Sequence, residues 1–216
     1  MDLEHLKFNW VDLAVVSLLL VGLARGRKRG MSEEILDTFK WLLIVVAARY
    51  AYQPLGAILS QSTLFGALTC YLAVYIFVVI FFKMFFSFLK KRMGEKLVGS
   101  DLFGRGEYYL GMMAGMVRYG CIIIVGFALI NARYYSPDEL RANAAYQESN
   151  YGTSGLFPGL SSLQSEVFKG SFVGGVAQSY LADFLIKPTA PEDKPLGTHS
   201  IVRAREREVN EVLEKR

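Results

Sequence analysis

Histidine and cysteine are nearly missing from this chain, with two of each. His5 and His199 stand at opposite ends, which leaves no metal constellation and no histidine-based triad. Cys70 and Cys121 both fall inside apolar stretches and read as small core residues, so a disulfide framework is not expected. No GxGxxG or P-loop pattern occurs, and no internal repeat is visible. A basic stripe is also lacking. The net charge of +4 comes from short clusters that flank apolar segments, which excludes a nucleic-acid footprint. These absences assign no catalytic, cofactor-binding or metal-binding residue, and an enzyme is not expected.

What is abundant is apolar surface. Over 216 residues the chain is 52% hydrophobic, with fifteen phenylalanines and a mean hydropathy of +0.28. Soluble domains usually hold roughly 45–50% apolar residues, and here they are clustered as well. Lipid is the expected solvent. The fold class that follows is all-α: an integral membrane helical bundle of about four membrane helices, plus a C-terminal amphipathic helix. The division expected is a membrane domain over 1–131, then an extracytoplasmic connector, amphipathic helix and charged tail over 132–216.

The first apolar run, Phe8 to Leu23, is followed at once by Arg25, Arg27, Lys28 and Arg29. A signal peptide carries its charge before the run, so this reads as a retained first membrane helix. Asp12 falls near its start, where the helix dipole favours a carboxylate. Gly30 opens a second helix, with Ser32 as N-cap, a polar stripe at Glu33, Asp37 and Lys40, and an apolar run from Trp41 to Ala48. Gln53 to Ser62, with Pro54 and Gly56, reads as a loop. Phe65 to Leu89 is the clearest membrane helix, followed by basic Lys90, Lys91, Arg92, Lys96 and Arg105 in a loop to Gly106. The positive-inside rule then places both termini outside the cytoplasm.

The fourth helix, Glu107 to Asn131, has a small-residue face at Gly111, Ala114 and Gly115. Two glycines four apart let another backbone approach closely, which is how helices associate in lipid. Arg118 follows near that face, roughly 16 Å from Glu107 at about 1.5 Å per residue. A charge at that depth needs a neighbour: a carboxylate, a helix-end carbonyl or trapped water. By helix order Asp12 and Asp37 are the nearest carboxylates. Leu160 to Ile186 shows helical apolar spacing broken by Gly170, Gly174 and Gly175, too polar to span and suited to packing on the helices or the membrane. A linker with Pro188, Pro191 and Pro195 and a charged helical tail from Ser200 to Arg216 follow.

Three places resemble the colicin V production protein (CvpA) family of bacterial membrane proteins. Trp10-Val11-Asp12-Leu13-Ala14 is similar to its W-[IV]-D opening. Arg29-Gly30, then Glu34 and Trp41, resembles its R-G-x-x-x-E segment, and Gly111, Gly115 and Arg118 resemble its G-x-x-x-G-x-x-R face. The family usually has Asp where Glu107 stands, and a glycine directly after the arginine where this chain has Tyr119. The resemblance covers about the first 130 residues. It implies a bacterial inner-membrane protein associated with colicin V production or envelope function, and it supplies no chemistry.

Two functions remain open. One is a non-enzymatic membrane protein supporting toxin production, export or envelope homeostasis, its partners being the lipid bilayer, other copies of itself or other membrane proteins. The other is a small ion or solute channel or transporter subunit, motivated by Asp12, Asp37, Lys40 and Arg118 in or near apolar segments.

Overall fold

The computed structural model describes residues 8–62, 65–97, 104–141 and 159–190. The expected charged tail, the middle of the connector (142–158) and much of the proline linker lie outside the described residues.

The first helical element, α1, runs Trp10–Ser62 and is broken at Gly30, where φ is 78° and ψ is 171°. A side chain rarely tolerates that backbone, so glycine is required. The two arms, 10–29 and 31–62, fold back on each other. Asp12 bonds the backbone at Phe172 and Val173, and Arg49 pairs with Asp183 in the same short segment. A straight helix would hold residues 12 and 49 about 55 Å apart.

Two further helices complete the bundle: α2, Ala67–Leu97, and α3, Glu107–Asn131. The first arm runs antiparallel to α3, with Gly22 beside Gly115 and Gly26 beside Gly111. The second arm runs parallel to α3, Ser32 meeting Glu107 and Thr38 meeting Ala114. It runs antiparallel to α2, where Tyr52 packs edge-on against Tyr71 and Tyr75, and Asp37 meets Lys90. Three helical elements thus give four bundle arms. Three helices are long and apolar enough to cross a membrane, Trp10–Gln61, Ala67–Arg92 and Glu107–Asn131, with mean hydropathies of 1.5, 2.4 and 2.0. The molecule is an all-α integral membrane bundle. Its outer face carries Phe77, Phe81, Met84, Phe85 and Phe88 of α2, exposed as lipid-facing residues should be.

Local structure departs from the sequence reading in four places. Gly30, and not Ser32, is the non-helical residue at the junction of the arms. The loop expected over Gln53 to Ser62 is helical, with Pro54 inside it. Packing on either side of the proline holds the helix despite the lost hydrogen bond: Tyr52 lies against two tyrosine rings, and Gly56 lies against the Tyr71 ring. Third, α2 continues past Leu89 to Leu97. Its basic turn stays helical because Lys90 reaches Asp37 and Arg92 lies over the Phe88 ring at 5.1 Å.

Last, the single amphipathic helix expected over Leu160 to Ile186 is two, α4 (Leu160–Phe168) and α5 (Phe172–Tyr180), followed by a 3-10 turn at Ala182–Phe184. Ser171 makes the break: its hydroxyl donates to the Val167 carbonyl at 2.7 Å and accepts from Gly174 N–H at 2.9 Å, closing one helix while capping the next. Gly174 lies directly against the Val167 carbonyl, where no Cβ would fit. Val167, Phe168, Ala177, Leu185 and Ile186 join Val11, Val15, Ala48, Val125 and Ala128 in one core. The short helices therefore pack on the bundle end opposite Gly30. There the backbone of 132–134 pairs with Thr189, Thr189 N–H donating to Ala132 O at 2.9 Å.

Candidate functional site

In a helix, long side chains lean toward the N-terminus. Arg118 leans that way from the middle of α3 and meets the start of the second α1 arm. Its Nη1 lies 2.6 Å from Glu34 Oε2 and 3.8 Å from Asp37 Oδ2. Glu34 is fully buried and the Arg118 side chain is 13% exposed. A lone charge at a helix centre costs about 2.5–3.5 kcal/mol on insertion scales, and the short bidentate-capable pair offsets that cost. Asp12, one of the two carboxylates expected near Arg118, is at the other end of the bundle. Asp37 is only its second neighbour, and the residue that holds it is Glu34.

The pair belongs to a larger network. Arg29, the last residue before the Gly30 turn, places Nη1 3.5 Å from Glu34 Oε1 and 3.6 Å from Asp37 Oδ2. Asp37 also receives Lys40 from the next turn at 2.8 Å and Lys90 from α2 at 3.0 Å. Two carboxylates one turn apart on a single helix thus gather cations from both α1 arms, α2 and α3. Their i, i+3 spacing puts both on one face, which is why the bundle interior closes around them.

Beside this network runs a seam of glycines. Gly111 and Gly115 face Gly22 and Gly26 of the first arm and Gly30 at the turn, backbone against backbone. A Cβ on Gly22 would come within 2.8 Å of the Gly115 carbonyl, and one on Gly111 within 2.8 Å of Gly30 Cα. This close approach brings Glu107 to the Gly30 turn, where its Oε1 accepts the Ser32 N–H at 2.6 Å. The carboxylate thereby caps the start of a helix other than its own, where free N–H groups and the dipole favour an anion. The glutamate side chain has the reach to do so.

Asp12 plays the same part at the far end. It is 1% exposed, and its oxygens accept from Asn9 N–H at 3.0 Å, Phe172 N–H at 3.1 Å and Val173 N–H at 2.9 Å. It therefore serves its own helix start and that of α5 together. The indole N–H of Trp10 donates to Glu166 Oε2 beside it, joining the first arm to α4. Of the residues singled out in the sequence, Arg29, Glu34 and Arg118 form one ion-pair cluster. Gly30, Glu107, Gly111 and Gly115 form the adjoining seam, and Asp12 stands apart. Gly22, Gly26 and Thr38 were not singled out, and Lys90 was read only as one of the charges that orient the bundle. The four-residue spacing of Gly22, Gly26 and Gly30 carried a signal for the first two. The Thr38 hydroxyl donates to the Ala114 carbonyl across helices, and nothing in the sequence marks that bond.

Among the described residues no group of three or more His, Cys, Asp and Glu side chains is placed to hold a metal ion. The carboxylates of the site are engaged in ion pairs and helix caps, an arrangement that fixes helices relative to one another. No curated protein and no solved structure matches the chain. The family model described as colicin V production protein matches residues 11–162, which takes in all four arms, the connector and the start of α4. The chain belongs to the colicin V production protein family.

Proposed function

We propose that this protein is a non-enzymatic component of the bacterial cytoplasmic membrane that supports colicin V production, export or envelope homeostasis by assembling with itself or with other membrane proteins. The observation that carries the reading is the Glu34–Arg118 pair at 2.6 Å beside the Gly22/Gly26–Gly111/Gly115 seam. Such a fixed interior suits a scaffold, and the family membership supplies the setting. In this reading both termini lie outside the cytoplasm. Its basis is the end of the bundle that holds Arg25, Arg27, Lys28, Lys91 and Arg92, which the positive-inside rule assigns to the cytoplasm. Complementation of a strain lacking the protein, with co-purification of the membrane-extracted complex, tests the role. A strain that secretes toxin and keeps its envelope intact without the protein sinks it. Labelling of single introduced cysteines in intact cells tests the orientation, and reaction of position 91 or 92 with an impermeant reagent reverses it.

A second reading, a small channel or transporter subunit, draws on Arg118 Nε and Glu107 Oε2. Both atoms are buried and have no hydrogen-bond partner among the described residues, as polar groups on a hydrated path would. Ion flux into liposomes separates the two: flux abolished by Arg118→Leu favours the channel, and none at any pH or tension retires it.

A further inference from the structure

The ion-pair cluster does not balance. Arg118 takes one oxygen of Glu34 at 2.6 Å and Arg29 lies 3.5 Å from the other, so two carboxylates, Glu34 and Asp37, face four cations, with Lys40, Lys90 and Arg29 gathered at Asp37. Glu33, one turn before Asp37, forms no ion pair with any of these cations among the described residues. Three positive groups within 3.6 Å of one carboxylate stand close enough to repel one another, and a second anion beside them would relieve that repulsion. The ammonium groups have capacity for it. Lys40 and Lys90 each hydrogen-bond Asp37, and an ammonium carries three donors. The cluster is also open to its surroundings, with side chains 31% exposed at Arg29, 18% at Lys40 and 43% at Lys90.

We propose that Arg29, Lys40 and Lys90 bind the phosphate group of an anionic membrane lipid, on the surface where the second arm of α1 meets α2. The wall beside the cations argues for lipid over a free phosphate. Phe39, next to Lys40, is exposed and packs edge-on against Phe86 of α2 at 6.3 Å; Phe85 and Phe88, on the turns just before Lys90, are exposed as well. An acyl chain lies against such a wall, whereas a soluble phosphate gains nothing from it. The height fits too. Asp37 is about 10 Å along the arm from the Gly30 turn, at the end where Arg25, Arg27, Lys28, Lys91 and Arg92 are exposed. Basic pockets between membrane helices at such an end hold lipid headgroups by direct charge pairing. The site stands whichever function the protein serves.

Native mass spectrometry of the full chain released from phosphatidylcholine vesicles containing a minor share of phosphatidylglycerol tests this. The parent should retain phosphatidylglycerol preferentially. Arg29→Gln/Lys90→Gln should lower that retention about 25-fold, at about fivefold for each basic residue near an anionic surface. Lys90→Arg should keep it. Asp37→Asn removes the carboxylate that competes with phosphate and should raise retention, whereas a merely structural cluster would lose lipid and stability together. Lys90→Gln alone, at the most exposed cation, gives about a fivefold loss where the double variant does not fold. Unchanged retention in the glutamine variants overturns the site. So does a loss of retention in folded Asp37→Asn, and so does displacement of the lipid by inorganic phosphate but not by chloride of equal ionic strength, which would make it a site for free phosphate.

Discussion

The two ends of this bundle use carboxylates differently. At the Gly30 end, Glu34 and Asp37 pair with full charges: Arg118, Arg29, Lys40 and Lys90. At the far end the buried carboxylate, Asp12, accepts backbone N–H groups, the Arg49–Asp183 ion pair is largely exposed at Asp183, and the elements meet through Val11, Phe127, Phe168 and Ile186. Breaking an ion pair between helices where water is excluded leaves a buried charge behind. A cap joins a helix start to its neighbour without bringing in a second charged side chain. The first end is therefore expected to fail as a unit. The second should open locally, short helices first. Glu107 links the two modes, since it caps the second arm while lying beside the charged cluster.

The largest expected effect tests the charged end. For an arginine without a partner, Arg118→Leu would only remove the cost of a charge at the helix centre. With Glu34 fully buried against it, the same change strands a carboxylate. Arg118→Leu and Glu34→Leu should each cost about 3–5 kcal/mol, the usual penalty for removing one partner of a buried pair. The double variant should recover most of that loss. Unfolding of the purified protein in detergent measures all three. If the double loss equals the sum of the single ones, the pair is not a unit and the contrast between the ends fails.

The glycine seam sharpens the same comparison, because one helix carries both a crowded and an open face. Gly26→Leu or Gly111→Leu places a side chain against backbone and should cost about 1–3 kcal/mol or more through overpacking. Gly120 and Gly126, on the same α3, have nothing within 4 Å of where a Cβ would stand, so Gly120→Leu should be close to neutral. The unfolding midpoint of the three variants decides it. Equal losses at positions 111 and 120 would show that the penalty comes from helix backbone and not from the seam.

Much of this was legible in the sequence, and the exceptions share a cause. Long apolar runs fixed by lipid gave away the helices, and the spacing of Gly111 and Gly115 pointed to a close contact, since in membranes small residues mark where backbones meet. Arg118 announced a need for a partner. Which partner was hidden, because Glu34 reads as an ordinary first-turn acid until the Gly30 turn folds its helix alongside α3. Pro54 was misread for a similar reason: tyrosine rings from α2 hold the helix through it. Two of the three partners of Asp12, Phe172 and Val173, lie 160 residues and more away in sequence, beyond any local pattern.

The smallest expected effect belongs to the far end and concerns those partners. Asp12 takes three backbone N–H groups on two oxygens, one from its own helix start and two from α5. Asp12→Ala leaves all three unpaired, and losing a cap of this kind costs about 0.5–2 kcal/mol. Asp12→Asn keeps one acceptor oxygen and should cost less than alanine. Because α4 and α5 are nine residues each, the loss should appear as their detachment while the four arms stay folded. Protease cleavage within 159–190 reads that opening directly when reclosing outpaces cutting. It should rise up to about 30-fold in Asp12→Ala, the factor that 2 kcal/mol represents, with an unfolding midpoint for the arms close to that of the parent. Unchanged cleavage would mean that the apolar contacts of Val167, Phe168 and Ile186 hold these helices without the cap. A collapse of the arms along with α4 and α5 would mean that the two ends are one cooperative body, and the distinction drawn between them would be gone.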